Sequence, residues 1–321
     1  MKKLYKSPQQ KRRNAQRMRR AAMRPGSKPP TQKRGITRTE KRTLERLRIK
    51  SPPARILCPK NFNLLENTES VLRVFDEMEQ AVAKSARIIL DHSEVEDLST
   101  ETLVLLLAHI ETYERLYKHF NIEGVRPKSE RARRLLLSSG FTKFMSFSAE
   151  PAIKNSDIFE IHRGSQVEPH TASKFNSFAL EKLRKEPSIA SRRNYSMLIE
   201  CMANTRNHAY QIDGKPIRKW WLVAQYDAQK QKMRFSFLDL GVGIPKTVRK
   251  KFSELVTLKS DSRLIDSALR GNLSNLRTST GLPHRGKGLP RILNNLKSNF
   301  IQNLAIMSNR GYLLKRSFLD K

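Results

Sequence analysis

Phe237-Leu-Asp239-Leu-Gly241-Val-Gly243-Ile-Pro245 runs an apolar, strand-like segment straight into an acid and two spaced glycines. Glycines allow positive φ and close backbone approach. A carboxylate placed just before them can accept a hydrogen bond from an exocyclic amine such as that of adenine. Upstream, Glu200-Cys-Met-Ala-Asn204-Thr-Arg-Asn-His208 sets a carboxylate, an amide and an imidazole at steps of four within a helical pattern over residues 195–208. That spacing puts all three on one helix face. The carboxamide oxygen of Asn204 suits Mg²⁺, a hard ion that prefers oxygen. Glu200 is placed to take a proton from a water or a hydroxyl. Downstream, His284-Arg285-Gly286-Lys287-Gly288-Leu289-Pro290 leads into a helix, whose free N–H groups favour phosphate, and Arg285 and Lys287 add positive charge. Taken singly, the three segments also read as a polar helix face, a strand-ending turn and a flexible basic loop.

Their order closely resembles the N, G1 and G2 boxes of the GHKL (Bergerat-fold) ATP-binding family, which includes histidine kinases, anti-sigma-factor serine kinases, gyrase B and the MutL mismatch-repair proteins. The Glu-x3-Asn-x3-His spacing is most similar to the anti-sigma serine kinases. The resemblance implies an α/β sandwich over residues 172–321 that binds ATP and Mg²⁺. It places Asp239 on adenine, Asn204 on Mg²⁺ and Glu200 as the catalytic base. His208, Gly241 and Gly243 become nucleotide contacts, and Arg285, Gly286, Lys287 and Gly288 lie beside the phosphates. The polar stretch 257–285 becomes the ATP lid. The activity so implied is that of an ATP-dependent regulator, as a Ser/Thr protein kinase or a slow ATPase, and a homodimer is compatible with it. His92, His109, His119 and His162 lack the following Glu and basic residue of a sensor-kinase phosphoacceptor, so autophosphorylation on His is not expected.

Residues 53–148 alternate helical and strand patterns. Val71, Leu72, Val74, Phe75, Met78 and Val82 fall at helical spacing, Arg87–Asp91 is a short apolar run, and Ser99 stands as the N-cap of a third element. A further short helix over 129–139 ends at Gly140. The alternation predicts a small α/β domain. Ile88-Ile-Leu-Asp91 and Val95-Glu-Asp-Leu-Ser99-Thr100-Glu-Thr102-Leu103 resemble the STAS domain of anti-sigma-factor antagonists, which implies a protein partner. Thr100 falls on the family's phosphoacceptor position, but Ser99 and Thr102 replace the flanking Asp and Gly, and a helix N-cap explains Ser99-Thr100 at least as well. Residues 149–171, with Pro151, Gly164 and Pro169 among polar residues, are expected to be a linker. The fold class expected is therefore α/β (α+β) in two domains.

The formal net charge of +33 is unevenly spread. Residues 1–50 hold 19 Lys or Arg against Glu40 and Glu45, about half of the excess in less than a sixth of the chain. Such a segment repels itself and buries no core, so residues 1–52 are expected to be a disordered basic tail, with a short basic helix open to residues 38–50. It is expected to attract nucleic acid or another polyanion. A nucleic-acid-associated adaptor, with the nucleotide domain as switch or scaffold, is thus the alternative to an ATP-dependent regulator. Cys58 and Cys201 match no zinc spacing and no disulfide framework, and no apolar run is long enough for a transmembrane segment, so a cytoplasmic location is expected.

Overall fold

The structure, a computed structural model, describes residues 38–147, 153–184, 189–207, 210–212, 215–251, 259–271, 288–298 and 300–317. The chain is mixed α/β and divides into two compact units, residues 1–48 and 49–321. Most of the basic tail lies outside the described residues. Its final part is the short basic helix left open for residues 38–50. Residues Arg38–Lys50 form helix α1, built largely from Arg, Lys, Glu and Leu, which are strong helix formers. Glu45 and Arg48 pair at 2.8 Å across one turn.

The second unit begins with β1 (Ala54–Leu57), β2 (Asn61–Phe62), α2 (Thr68–Val82), β3 (Arg87–Asp91), β4 (Asp97–Leu98), α3 (Thr100–Leu116), β5 (Asn121–Val125), α4 (Glu130–Ser138) and β6 (Ser146–Phe147). Strands β1, β3, β5 and β6 form a parallel sheet in that order. Parallel neighbours need crossovers, and helices α2, α3 and α4 supply them. Helix α2 buries Val71, Val74, Phe75, Met78 and Val82 in one stripe. Helix α3 starts at Ser99, whose side chain accepts the Thr102 N–H at 3.4 Å. Unlike α2, it is buried nearly all round, at Leu103, Val104, Leu106, Leu107, Ile110 and Tyr113. A helix apolar on all sides must be covered on more than one side, and the second half of the unit supplies the cover.

That half contains β7 (Ile158–Gly164), α5 (Pro169–Lys182), α6 (Ile189–Asn207), β8 (Tyr210–Ile212), β9 (Lys215–Ile217), β10 (Trp220–Asp227), β11 (Lys232–Asp239), α7 (Ile244–Lys251), α8 (Asp261–Arg270), α9 (Gly288–Lys297), β12 (Asn303–Ser308) and β13 (Gly311–Arg316). Strands β11, β10 and β7 form an antiparallel sheet in that order, and β12 pairs with β13 as a hairpin. The first five residues of β10, Trp220 to Ala224, read as an unbroken apolar run because both faces of the strand are covered there. Trp220, Leu222 and Ala224 join a core with Phe159, Ala172, Phe175, Leu198 and Met202. Trp221 and Val223 join the core that contains the apolar residues of α3. The parallel sheet's helix layer is therefore also the outer layer of the antiparallel sheet.

Two expectations are corrected. The segment 149–171 is not simply a linker, since β7 lies in it and pairs with β10. Its Ile158, Phe159 and Ile161 are buried, and Pro169 opens α5 at the first turn, where proline's missing N–H costs nothing. The polar stretch 257–285 contains α8, capped by Ser260 at its start and by left-handed Gly271 at its end (φ +70°). Leu264, Ile265 and Leu269 anchor α8 in the core, so this part is a packed helix and not a lid. Residues 272–287 of that stretch lie outside the described residues. Among the described residues no helix is long and apolar enough to cross a membrane.

Candidate functional site

Strand β11 alternates its faces. Phe235 and Phe237 pack toward α5 and α6, while Ser236 and Leu238 turn toward α3. Asp239 ends the strand on the same side as the two phenylalanines and opens into a cleft of about 1660 Å³. Helix α6 lines the cleft with Asn194, Met197, Cys201 and Asn204, at steps of three and four that define one helix face. Gly241, Gly243, Ile244 and Thr247 line it from the glycine turn and α7, and Leu289 and Ile292 from α9. The volume exceeds that of an ordinary small-molecule pocket, roughly 300–1,000 Å³, because the open space runs along β11 to the β12–β13 hairpin and also reaches Asn63, Ser99, Glu101 and Val104 on the α3 side.

Asp239 keeps solvent access through the cleft, yet the surrounding protein raises its pKa by desolvation, with the Gly241 N–H, donated to Asp239 Oδ1, opposing the shift. Gly243 has φ +88°, and a Cβ there would fall 2.3 Å from the Asn309 side chain. The turn is held in place by the last hairpin. Asn309 Nδ2 donates to the Val242 carbonyl at 3.3 Å, and the Ile244 N–H donates to Ser308 Oγ at 2.9 Å. The glycine segment therefore has a fixed shape with close backbone approach, as the sequence pattern requires.

The structure brings Asn204, Asp239, Gly241 and Gly243 to one cleft. Glu200, one turn before Asn204, is turned to α9, where its Oε1 accepts from Arg291 Nη1 at 2.7 Å. Gly288, at the start of α9, is buried against the same carboxylate. The remaining candidates, His208, Arg285, Gly286 and Lys287, lie outside the described residues. Asn204 presents an amide in the cleft, and among the described residues no three His, Cys, Asp or Glu side chains cluster to hold a metal ion. A carboxamide oxygen is a ligand type that Mg²⁺ accepts.

Two sets of site residues have no counterpart in the sequence reading. Cys201 lines the cleft between Met197 and Asn204, and burial, then the charges of Asp239 and Glu200, push its thiol up to about 12. It is thus a neutral wall and not a nucleophile. Helical spacing from Asn204 was the available signal. Ser308 and Asn309, which fix the glycine turn, are more than sixty residues from it and carry no local signal.

Behind the cleft, α3 grips the other face of the sheet at two places. Thr100, 1% exposed, donates to Glu101 Oε2 at 3.1 Å and stands 3.5 Å from Ser236 Oγ of β11. This encloses the Thr100 hydroxyl between α3 and β11. Further along α3, Glu111 accepts from Arg163 Nη1 at 2.7 Å, from Trp221 Nε1 at 3.2 Å, and from Lys219 Nζ. Burial pushes the Glu111 carboxyl up, but hydrogen bonds from Lys219 and Arg163 outweigh it and the pKa is lowered.

Comparison of the chain with protein-family models, with curated proteins and with solved structures gave no match.

Proposed function

We propose that residues 172–321, together with β7, form a GHKL-type site that binds Mg-ATP and that the chain acts as an ATP-dependent regulator. The observation that carries this reading is that Asp239, at the end of β11, and Asn204, on the lining face of α6, both border the same extended cleft as a fixed glycine turn. Asp239 accepts a hydrogen bond from the adenine amine. The Asn204 carbonyl oxygen offers a ligand to Mg²⁺, which when bound neutralises phosphate charge. The N-terminus of α9 favours the phosphates through its free N–H groups. Glu200 takes the proton of the attacking water or hydroxyl, which makes it the base of a slow ATPase or a Ser/Thr kinase. The α/β half, docked on the back of β11, is the part through which a protein partner senses the state of the site.

Titration calorimetry of the full chain with Mg-ATP tests the reading. Asp239→Asn and Asn204→Asp should each weaken binding at least about tenfold, the cost of one good hydrogen bond to a charged group. Wild-type affinity in both variants removes the site.

The basic charge of α1 and of the sequence before it supports an additional polyanion contact, and with it the nucleic-acid-associated reading.

A further inference from the structure

Glu200 is held by the first turns of α9 in two ways. Arg291 Nη1 lies 2.7 Å from Glu200 Oε1. The other oxygen, Oε2, lies 2.7 Å from where a Cβ on Gly288 would be, so any larger residue there would push the carboxylate aside. The two residues belong to elements 91 positions apart in sequence. The Glu200 side chain is 27% exposed and Arg291 is 57% exposed, so the pair stands at the rim of the α6–α9 contact and not inside the core. A cation one turn into a helix opposes the helix dipole. Arg291 therefore sits where α9 itself disfavours it, and Glu200 is the acid that compensates.

We propose that Arg291 is a positioning residue for Glu200: it fixes the carboxylate's orientation and ties the helix of the candidate base to the helix that follows the glycine-rich phosphate segment. This rests on the reading of Glu200 as the base in an Mg-ATP site. A base delivers its rate advantage only within hydrogen-bond reach of the proton it takes. A carboxylate on a flexible stem reaches that geometry more often when a planar guanidinium holds one of its oxygens. The bond holds Oε1, and Oε2 faces the Gly288 backbone at the head of α9.

The experiment measures phosphate release and Mg-ATP affinity on the full chain for wild type, Arg291→Met, Arg291→Lys, Glu200→Gln and the double variant Glu200→Gln/Arg291→Met. Arg291→Met should lower kcat by up to about 100-fold, the scale of a misplaced catalytic group, with KM and the dissociation constant nearly unchanged. Arg291→Lys should recover part of the loss, since it keeps the charge and loses the planar fork. In the Glu200→Gln background, Arg291→Met should cost little more, because the two act as a unit. Gly288→Ala, which crowds Oε2 without removing any charge, should also lower kcat. An unchanged kcat in Arg291→Met, a loss confined to KM or to thermal stability, or full additivity in the double variant overturns the positioning role. Wild-type turnover in Glu200→Gln overturns the base reading beneath it, and the inference falls with it. Loss in Glu200→Gln with none in Arg291→Met sinks the inference alone. Absence of both phosphate release and phosphate transfer to protein from a wild-type chain that binds Mg-ATP overturns both.

Discussion

Removing the Glu111 carboxylate should weaken the whole of residues 49–321 and not one half. Its side chain is 6% exposed and serves three donors. Glu111→Ala leaves the Trp221 indole N–H without an acceptor in a fully buried position, which costs about 1–3 kcal/mol. Arg163 and Lys219 are about half exposed, so each regains water, and their loss adds only about 0.2–1 kcal/mol apiece. The sum is roughly 1.4–5 kcal/mol, which overlaps the range for a buried pair broken on one side. Glu111→Gln keeps an acceptor for the indole and should cost about half as much. The assay is urea unfolding followed by tryptophan fluorescence, which is well placed because the chain's two tryptophans are both in β10. A single transition moved to lower urea is expected. The pH dependence follows from the lowered Glu111 pKa. A carboxyl depressed on folding stabilises above its unfolded pKa, near about 4.3. That stability is lost as pH falls through the folded value. The gap between wild type and Glu111→Gln should therefore be full at pH 7 and close below about pH 4. A Glu111→Ala variant within about 0.5 kcal/mol of wild type, or two separated transitions, would refute the reasoning.

Gly243→Ala forces a Cβ onto Asn309 at a positive φ, so Mg-ATP affinity should fall about tenfold or more, and calorimetry equal to wild type would show that the turn does not shape the site. Burial raises the pKa of both Cys58 and Cys201, so a thiol reagent at pH 8 should label neither quickly in the native chain and both after unfolding; one fast thiol contradicts their placement. Deleting residues 1–50 should abolish salt-sensitive nucleic-acid binding and leave Mg-ATP binding unchanged, and equal DNA binding by full-length and shortened chains in a salt titration removes the polyanion role.

The parts legible in sequence were those fixed by short-range periodicity. The step of four from Glu200 to Asn204 and the strand-to-glycine turn at Asp239 are local patterns, and the structure brings Asn204 and Asp239 to one cleft. Ser99 could be read as a cap because capping involves only the next few residues. Strand β7 escaped because its apolar residues at Ile158, Phe159 and Ile161 do not alternate cleanly, and the ladder to β10 is irregular between Leu222 and Ala224. Helix α8 escaped because Ser, Asp and Arg dominate its composition while only Leu264, Ile265 and Leu269 carry its packing. The Arg291–Glu200 pair and the Asn309 support of the glycine turn join distant positions. Such contacts exist only after the chain has folded back on itself, and no local pattern encodes them.

Trp220 and Trp221 are neighbours in sequence yet belong to different cores. Strand β10 is thus a party wall between two rooms. Cutting the gene between them would not release two working modules: the front half would lose the cover of α3, and the rear half would show Trp221 and Val223 to water. A change of volume at Trp221 has to be answered on α3, and a change at Trp220 on α5 or α6. The two halves are bound to drift together over evolutionary time, and a shuffled chain carrying a foreign partner for either one would begin life with a mismatched core.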